Sequence, residues 1–227
     1  MYMFFGDTPI YQRPKSSDPA PRKASPEVGR RLPTRRIPLL PSSGVSLAET
    51  LILLSEPERV RKPGDTIQLA DMCHGHLWNT MRSRTELQSI GRLLVMSDSH
   101  GLCSAHQPII DTDPVDQSDA AELMASIEAG GVIATNSMHG LAPIELIRSA
   151  SGDPWRCVII QRKELHRRAV GALIAEAAEW GLISVDAPIL IVEGGVGSRC
   201  GQLSRYLDIL KSTQGLPVQS PHSPAAA

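Results

Sequence analysis

Apolar residues in this chain fall into short continuous runs, separated by longer stretches in which they recur every three or four positions. Runs of four to eight apolar residues fit strands buried on both faces, and the wider spacing fits helices laid across them. The pattern predicts strands at 66–71 (TIQLAD), 92–97 (RLLVMS), 132–135, 155–161 (WRCVIIQ) and 189–192. It predicts helices at 46–54, where Ser46 and Glu49 have capping-box spacing, at 76–90, and at 118–129, with Ser118 as cap and a stop at Gly130 and Gly131. Further helices are expected at about 141–149, at 164–180 and at 202–211, and a polar loop at 98–115. Strands alternating with amphipathic helices imply an α/β fold, a three-layer sandwich around a mainly parallel five-stranded sheet.

The flanks break this rhythm. Residues 12–43 are rich in Pro, Ser and Arg with hardly an aromatic, too little apolar surface to offset the entropy of ordering them. The expected organisation is a disordered basic leader at 1–45, an α/β domain at 46–212 and a disordered tail at 213–227. The net charge of −1 conceals the asymmetry: residues 1–41 carry Arg13, Lys15, Arg22, Lys23, Arg30, Arg31, Arg35 and Arg36 against Asp7, Asp18 and Glu27. A solvated tail is the plain reading, with an electrostatic tether to nucleic acid or acidic lipid, or an export leader, as alternatives. Without aromatics among the arginines, base-stacking recognition of nucleic acid is not expected.

Cys73, Cys103, Cys157 and Cys200 lie tens of residues apart with no CxxC pair, a pattern of free thiols in a reducing compartment. No segment approaches the length of a membrane span, and residues 1–5 are too short for a secretory signal. The expected location is cytoplasmic, with export by a non-classical route left open. No cofactor is expected, and the expected partner is a protein or peptide; the oligomeric state is not readable.

In sheets of this kind, functional residues gather in loops at the carboxyl ends of the strands. Those loops are unusual here: Cys73-His74-Gly75-His76 after the first expected strand, Asp98-Ser99-His100-Gly101-Leu102-Cys103 after the second, Asn136-Ser137-Met138-His139-Gly140 after the third, and a glycine-rich Glu193 to Cys200 after the last.

The segments LADMCHG (69–75) and LLVMSDSHG, with the following DAAELMASIEAGGVIATNSMHG, resemble the core of CHAT domains and their caspase-like relatives over 66–140. The resemblance implies a caspase-like fold, with a flavodoxin-like one differing mainly in strand order. It implies a cysteine-peptidase-related protein in which a His-Gly strand end supplies the catalytic imidazole, here His74, and the next strand supplies the thiol. An adjacent imidazole is needed because a thiol of ordinary pKa is only slightly ionised at neutral pH. The family's cysteine position is occupied by Ser99, and Cys103 stands four residues further on. Three outcomes follow: Cys103 reaches the site through a rearranged loop, Ser99 acts as a hydroxyl nucleophile, or the domain is inactive. Gly75, His100 and His139 are the expected substrate-binding residues, the His74–Gly75 loop offering an oxyanion donor.

Two other classes compete. VMSDSHG is also similar to the opening Asp-x-His motif of calcineurin-like metallophosphoesterases, with Asp98 and His100 as metal ligands and His74 and His76 nearby. That family's downstream Gly-Asp, Gly-Asn-His and Gly-His-x-His motifs are absent. A non-enzymatic α/β interaction domain with a loose basic leader explains the missing nucleophile without strain. GGVGSRCG could cradle a phosphate at a helix start, but it lacks the Gly-Lys-Ser/Thr of a Walker loop and reads first as a tight turn. Arg162, Lys163, His166, Arg167 and Arg168 read as the solvated face of a helix start.

Overall fold

The computed structural model describes residues 44–56, 66–110, 115–130 and 142–212. The leader up to residue 43, the tail, the strand expected at 132–135 and His139 lie outside the described residues. The strands are β1 (Thr50–Ser55), β2 (Thr66–Gln68), β3 (Arg92–Ser97), β4 (Gly101–Ser104), β5 (Pro108–Ile110), β6 (Cys157–Gln161) and β7 (Ile189–Ile191). The helices are α1 (Leu69–Met72), α2 (His76–Arg84), α3 (Gln117–Glu128), α4 (Pro143–Ile147), α5 (Arg167–Glu179) and α6 (Val196–Ser212).

The capping box forms but caps no long helix. The Glu49 carboxylate accepts both the N–H and the hydroxyl of Ser46 at 2.9 Å, and the Arg156 guanidinium closes on it at 2.7 Å. Burial pushes the Glu49 pKa up, but Arg156 and Ser46 outweigh it and hold the carboxyl below its ordinary value. A single 3₁₀ turn, Leu47–Glu49, follows, and the chain then enters β1 where a helix was expected. Every residue of β1 is buried, so this run has no polar face for a surface helix to present. A central strand covered on both faces is the place for it.

β1 is the middle of a five-stranded sheet of order β4-β3-β1-β6-β7. It pairs in parallel with β3, Leu51 opposite Arg92, and with β6, Leu51 opposite Val158; β7 runs parallel to β6, and β4 turns back antiparallel on β3. The sheet is therefore mixed but mostly parallel. β2 lies outside it, paired antiparallel with β5 through Thr66–Ile110 and Gln68–Pro108. The expected strand at 66–71 is thus cut short at Gln68 and continues as α1, while the expected loop at 98–115 holds β4 and β5.

Side chains alternate along β1. Ile52 and Leu54 join Leu93, Val95, Cys157 and Ile159 in a core beneath α1, α2 and α6, and Leu51 and Leu53 join Leu94, Met96, Val158 and Ile160 beneath α3, α4 and α5. Helices on both faces give the three-layer arrangement. The expected helix at 118–129 appears as α3, with Asp116 rather than Ser118 as cap: its carboxylate accepts the N–H groups of Ser118 at 2.7 Å and Asp119 at 2.9 Å. Gly130 ends it at φ 76°. α2 stops at Arg84, short of the expected residue 90, and α6 begins six residues before the expected 202, so the second half of the glycine-rich segment is helical.

Two glycines predict opposite outcomes. A Cβ at Gly91 would strike the Ala48 carbonyl and come within 2.6 Å of the Trp155 ring, so Gly91→Ala should lower unfolding free energy by about 1–3 kcal/mol in denaturant titration. A Cβ at Gly201, exposed within α6, would meet nothing within 4 Å, and Gly201→Ala should raise stability by about 0.4–1 kcal/mol.

Candidate functional site

The route of the chain creates a crevice at one rim of the sheet. From β1 it crosses to β3 over the α1 and α2 face, whereas from β6 it crosses to β7 over the α5 face. The outgoing loops therefore part between the carboxyl ends of β1 and β6, the topological switch point where open α/β sheets take ligands. A cleft of about 340 Å³ lies there. Ser55 and Glu56 from β1, and Gln161 and Lys163 from β6, form one wall. The His74–Gly75 turn and the start of α6, with Arg199 and Cys200, form the other. Gly75 caps α2 at φ 111°, a conformation open to glycine, and the Arg82 guanidinium braces its turn from below by donating to the Ala70 and Cys73 carbonyls.

Beside this cleft the ends of three strands meet on one imidazole. His166, wholly buried at the N-cap of α5, places Nδ1 2.8 Å from Ser55 Oγ and Nε2 2.6 Å from Asp98 Oδ1. Ser55 Oγ also accepts the Lys163 backbone N–H at 2.8 Å, and its own proton has two acceptors in reach, the Gln161 carbonyl at 3.5 Å and, closer, the unprotonated Nδ1 of a ring whose Nε2 faces a carboxylate. Nε2 then carries the ring proton and donates it to Asp98, whose other oxygen pairs with Lys163 Nζ at 3.1 Å. Two more bonds lock the rim: Gln161 Oε1 accepts Ser55 N–H at 3.1 Å, and Glu56 Oε2 accepts Asp98 N–H at 3.2 Å. The His166 hydrogen bond, opposed by burial and supported by the Lys163 charge, holds the Asp98 carboxyl at about 2, below the ordinary 3.8. A hydroxyl, an imidazole and a carboxylate thus stand in one hydrogen-bonded series, an arrangement that can draw a proton from the hydroxyl.

The structure divides the residues singled out in the sequence. His74 and Gly75 line the cleft; Ser99, His100 and Cys103 do not. β2, which leads to His74, is not the neighbour of β3 in the main sheet, so the adjacent parallel strands expected to deliver His74 and the nucleophile together are absent. Cys103 is 1% exposed in the core beneath α1 and α2, with its thiol 3.5 Å from the His100 carbonyl. His100 is buried in the β3–β4 region, and Ser99 lies in the turn, its N–H bonded to Ser97 Oγ at 3.2 Å. His166, expected on a solvated face, is instead the most enclosed member of the network; its neighbours Arg167 and Arg168 do face solvent. Among the described residues, no group of three or more His, Cys, Asp or Glu side chains is placed to hold a metal ion.

Known proteins add nothing to this picture. Comparison with protein-family models, curated proteins and solved structures gives no match. Among the described residues, no helix is long and apolar enough to cross a membrane.

Ser55, His166 and Lys163 escaped the sequence reading because Ser55 ends a strand taken for a helix and His166 sits among surface cations. A usable signal was present: Ser55 closes one buried run, and Lys163 and His166 follow within five residues of another, where a parallel sheet exposes its carboxyl ends.

Two measurements probe this geometry. Because the folded pKa of Asp98 lies below its ordinary value, its stabilisation is complete above about pH 3.8 and lost as pH falls through about 2. The stability difference between wild type and Asp98→Asn, from denaturant titrations, should be constant at neutral pH and close across that acid window. In the folded protein iodoacetamide should modify Cys200 first, since the other three thiols are buried and burial pushes Cys157 up to about 12 against a Thr50 hydrogen bond.

Proposed function

We propose that this protein is a hydrolase acting by acyl transfer on a peptide or ester, with Ser55 as nucleophile, His166 as general base and Asp98 as the group that orients the imidazole. The observation that carries this reading is the pair of contacts on one ring, Ser55 Oγ at 2.8 Å and Asp98 Oδ1 at 2.6 Å, at the edge of a cleft that Ser55 itself lines. In the reaction Ser55 Oγ bonds the acyl carbon while its proton passes to His166 Nδ1. The bond from that carbon to the leaving group breaks, and the leaving group takes the proton. Water then repeats the sequence and frees the acid. Asp98 stabilises the imidazolium, and the Gly75 turn is the source of a backbone donor for the oxyanion. The ring offers Nδ1 to serine and Nε2 to the carboxylate, the reverse of the chymotrypsin order, which leaves the proton path intact.

The parallel strands run in the order β3-β1-β6-β7, second-first-third-fourth among themselves, which supports the flavodoxin-like branch of the fold expectation. Cys200 favours a second reading of the same cleft. It is the cysteine of the four that is not buried, and it shares the cleft with His74 and His76. Thiol chemistry there would keep the cysteine-hydrolase class implied by the caspase-like resemblance and move the nucleophile from Cys103 to Cys200.

A fluorophosphonate probe and an acyl-reactive thiol probe separate the two. Ser55 should be labelled in wild type and in Cys200→Ser, and labelling should vanish in Ser55→Ala and His166→Ala proteins that still melt cooperatively. Asp98→Asn should lower ester turnover by about four orders of magnitude. Labelling that follows Cys200 instead establishes the thiol reading, and a folded wild type labelled by neither probe sinks both.

A further inference from the structure

We infer that the switch-point cleft takes a ligand through a negatively charged group, a carboxylate or a phosphate, recognised by Arg199, the Trp78 indole N–H and the first amides of α6. As a statement about a substrate this rests on the hydrolase reading; as an anion site it stands without it.

The first observation is a cation at the cleft with no ion pair among the described residues. Arg84, Arg148, Arg156, Arg167 and Arg168 each pair with a carboxylate, to Asp208, Glu145, Glu49, Glu164 and Glu128. Arg199 borders the cleft, half-buried, and has no carboxylate partner among the described residues. Lys163 in the same wall is committed to Asp98, and the cleft carboxylate, Glu56, is engaged by the Asp98 amide.

The second observation is a buried donor with nothing to donate to. Trp78 lines the cleft from α2 at 1% exposure, and its Nε1–H has no hydrogen-bond partner among the described residues. A buried donor left unpaired is costly, and an acceptor supplied by a ligand removes that cost. The ring is held in place by Arg82, whose guanidinium lies 5.6 Å from its centroid.

The third is the start of a seventeen-residue helix. The first intrahelical bond at this end runs from Arg199 N–H to the Gly195 carbonyl at 3.0 Å, so the amides of Val196, Gly197 and Ser198 precede it. Gly195, Val196, Gly197 and Ser198 are all exposed, so this helix start stands at the surface. Gln202 and Ser198 fix the turn by hydrogen bonds to Glu193 at 3.1 and 3.4 Å. A guanidinium, an indole N–H and helix-start amides are all donors, and their common complement is an anion.

The test titrates wild type and Ser55→Ala with succinate and, separately, with inorganic phosphate, following tryptophan fluorescence and thermal midpoint. Saturable binding of one of the two is expected, retained in Ser55→Ala and weakened about tenfold or more in Arg199→Gln. Trp78→Phe should weaken it independently, and whichever anion binds identifies the class. Absence of saturable binding by either anion, or binding unchanged in a folded Arg199→Gln, overturns the inference. Binding without fluorophosphonate labelling upholds the anion site and counts against the hydrolase; labelling without binding does the reverse.

Discussion

The ring of His166 ties together strand ends that would otherwise part. Parallel strands finish with outward amides, carbonyls and side chains that no ladder satisfies, and here β1, β3 and β6 finish within reach of one imidazole. Removing Asp98 or Ser55 leaves a nitrogen of the buried His166 ring without its partner, at about 1–3 kcal/mol for each buried group left unpaired, whereas the Lys163–Asp98 pair is half-exposed and contributes less. The same closure fixes the cleft wall. A rim this constrained is the kind of rigid frame on which acid–base chemistry depends, because a base must hold its orientation before it can accept a proton.

Beneath the rim the sheet is almost free of polar side chains. β1 sends Leu51 and Leu53 to one face and Ile52 and Leu54 to the other, and both faces are covered. Polarity is therefore displaced to the ends of the strands, and because the connections leaving the parallel strands β1 and β6 run to opposite sides, a gap opens among those ends. The site follows from the winding of the chain as much as from any one residue.

Much of the architecture was legible in the sequence. β3, β6 and β7, and the helices α3 and α5, stand within a few residues of where apolar spacing placed them, because their patterns are unambiguous in period and length. β1 was not legible: a true capping signal at Ser46 and Glu49 precedes it, and a leucine-rich run suits either a helix or a central strand until its partners are known. β4 was missed because GLCS is short and glycine-led. The difference between the residues singled out in the sequence and those gathered at the cleft follows from this. His74 and Gly75, which line the cleft, stand out in the sequence because their motif is local, while the Ser55–His166 contact spans 111 residues and depends on pairing that no local pattern records.

That long span also bears on how the molecule is made. β1 leaves the ribosome before β6 and cannot acquire its second neighbour until β6 has been synthesised, more than a hundred residues later. Until then one flank of the most apolar strand stays open. A nascent chain paused anywhere between β3 and β6 would present that flank to other proteins, so the interval of translation before residue 157 is the window in which a holdase chaperone matters most.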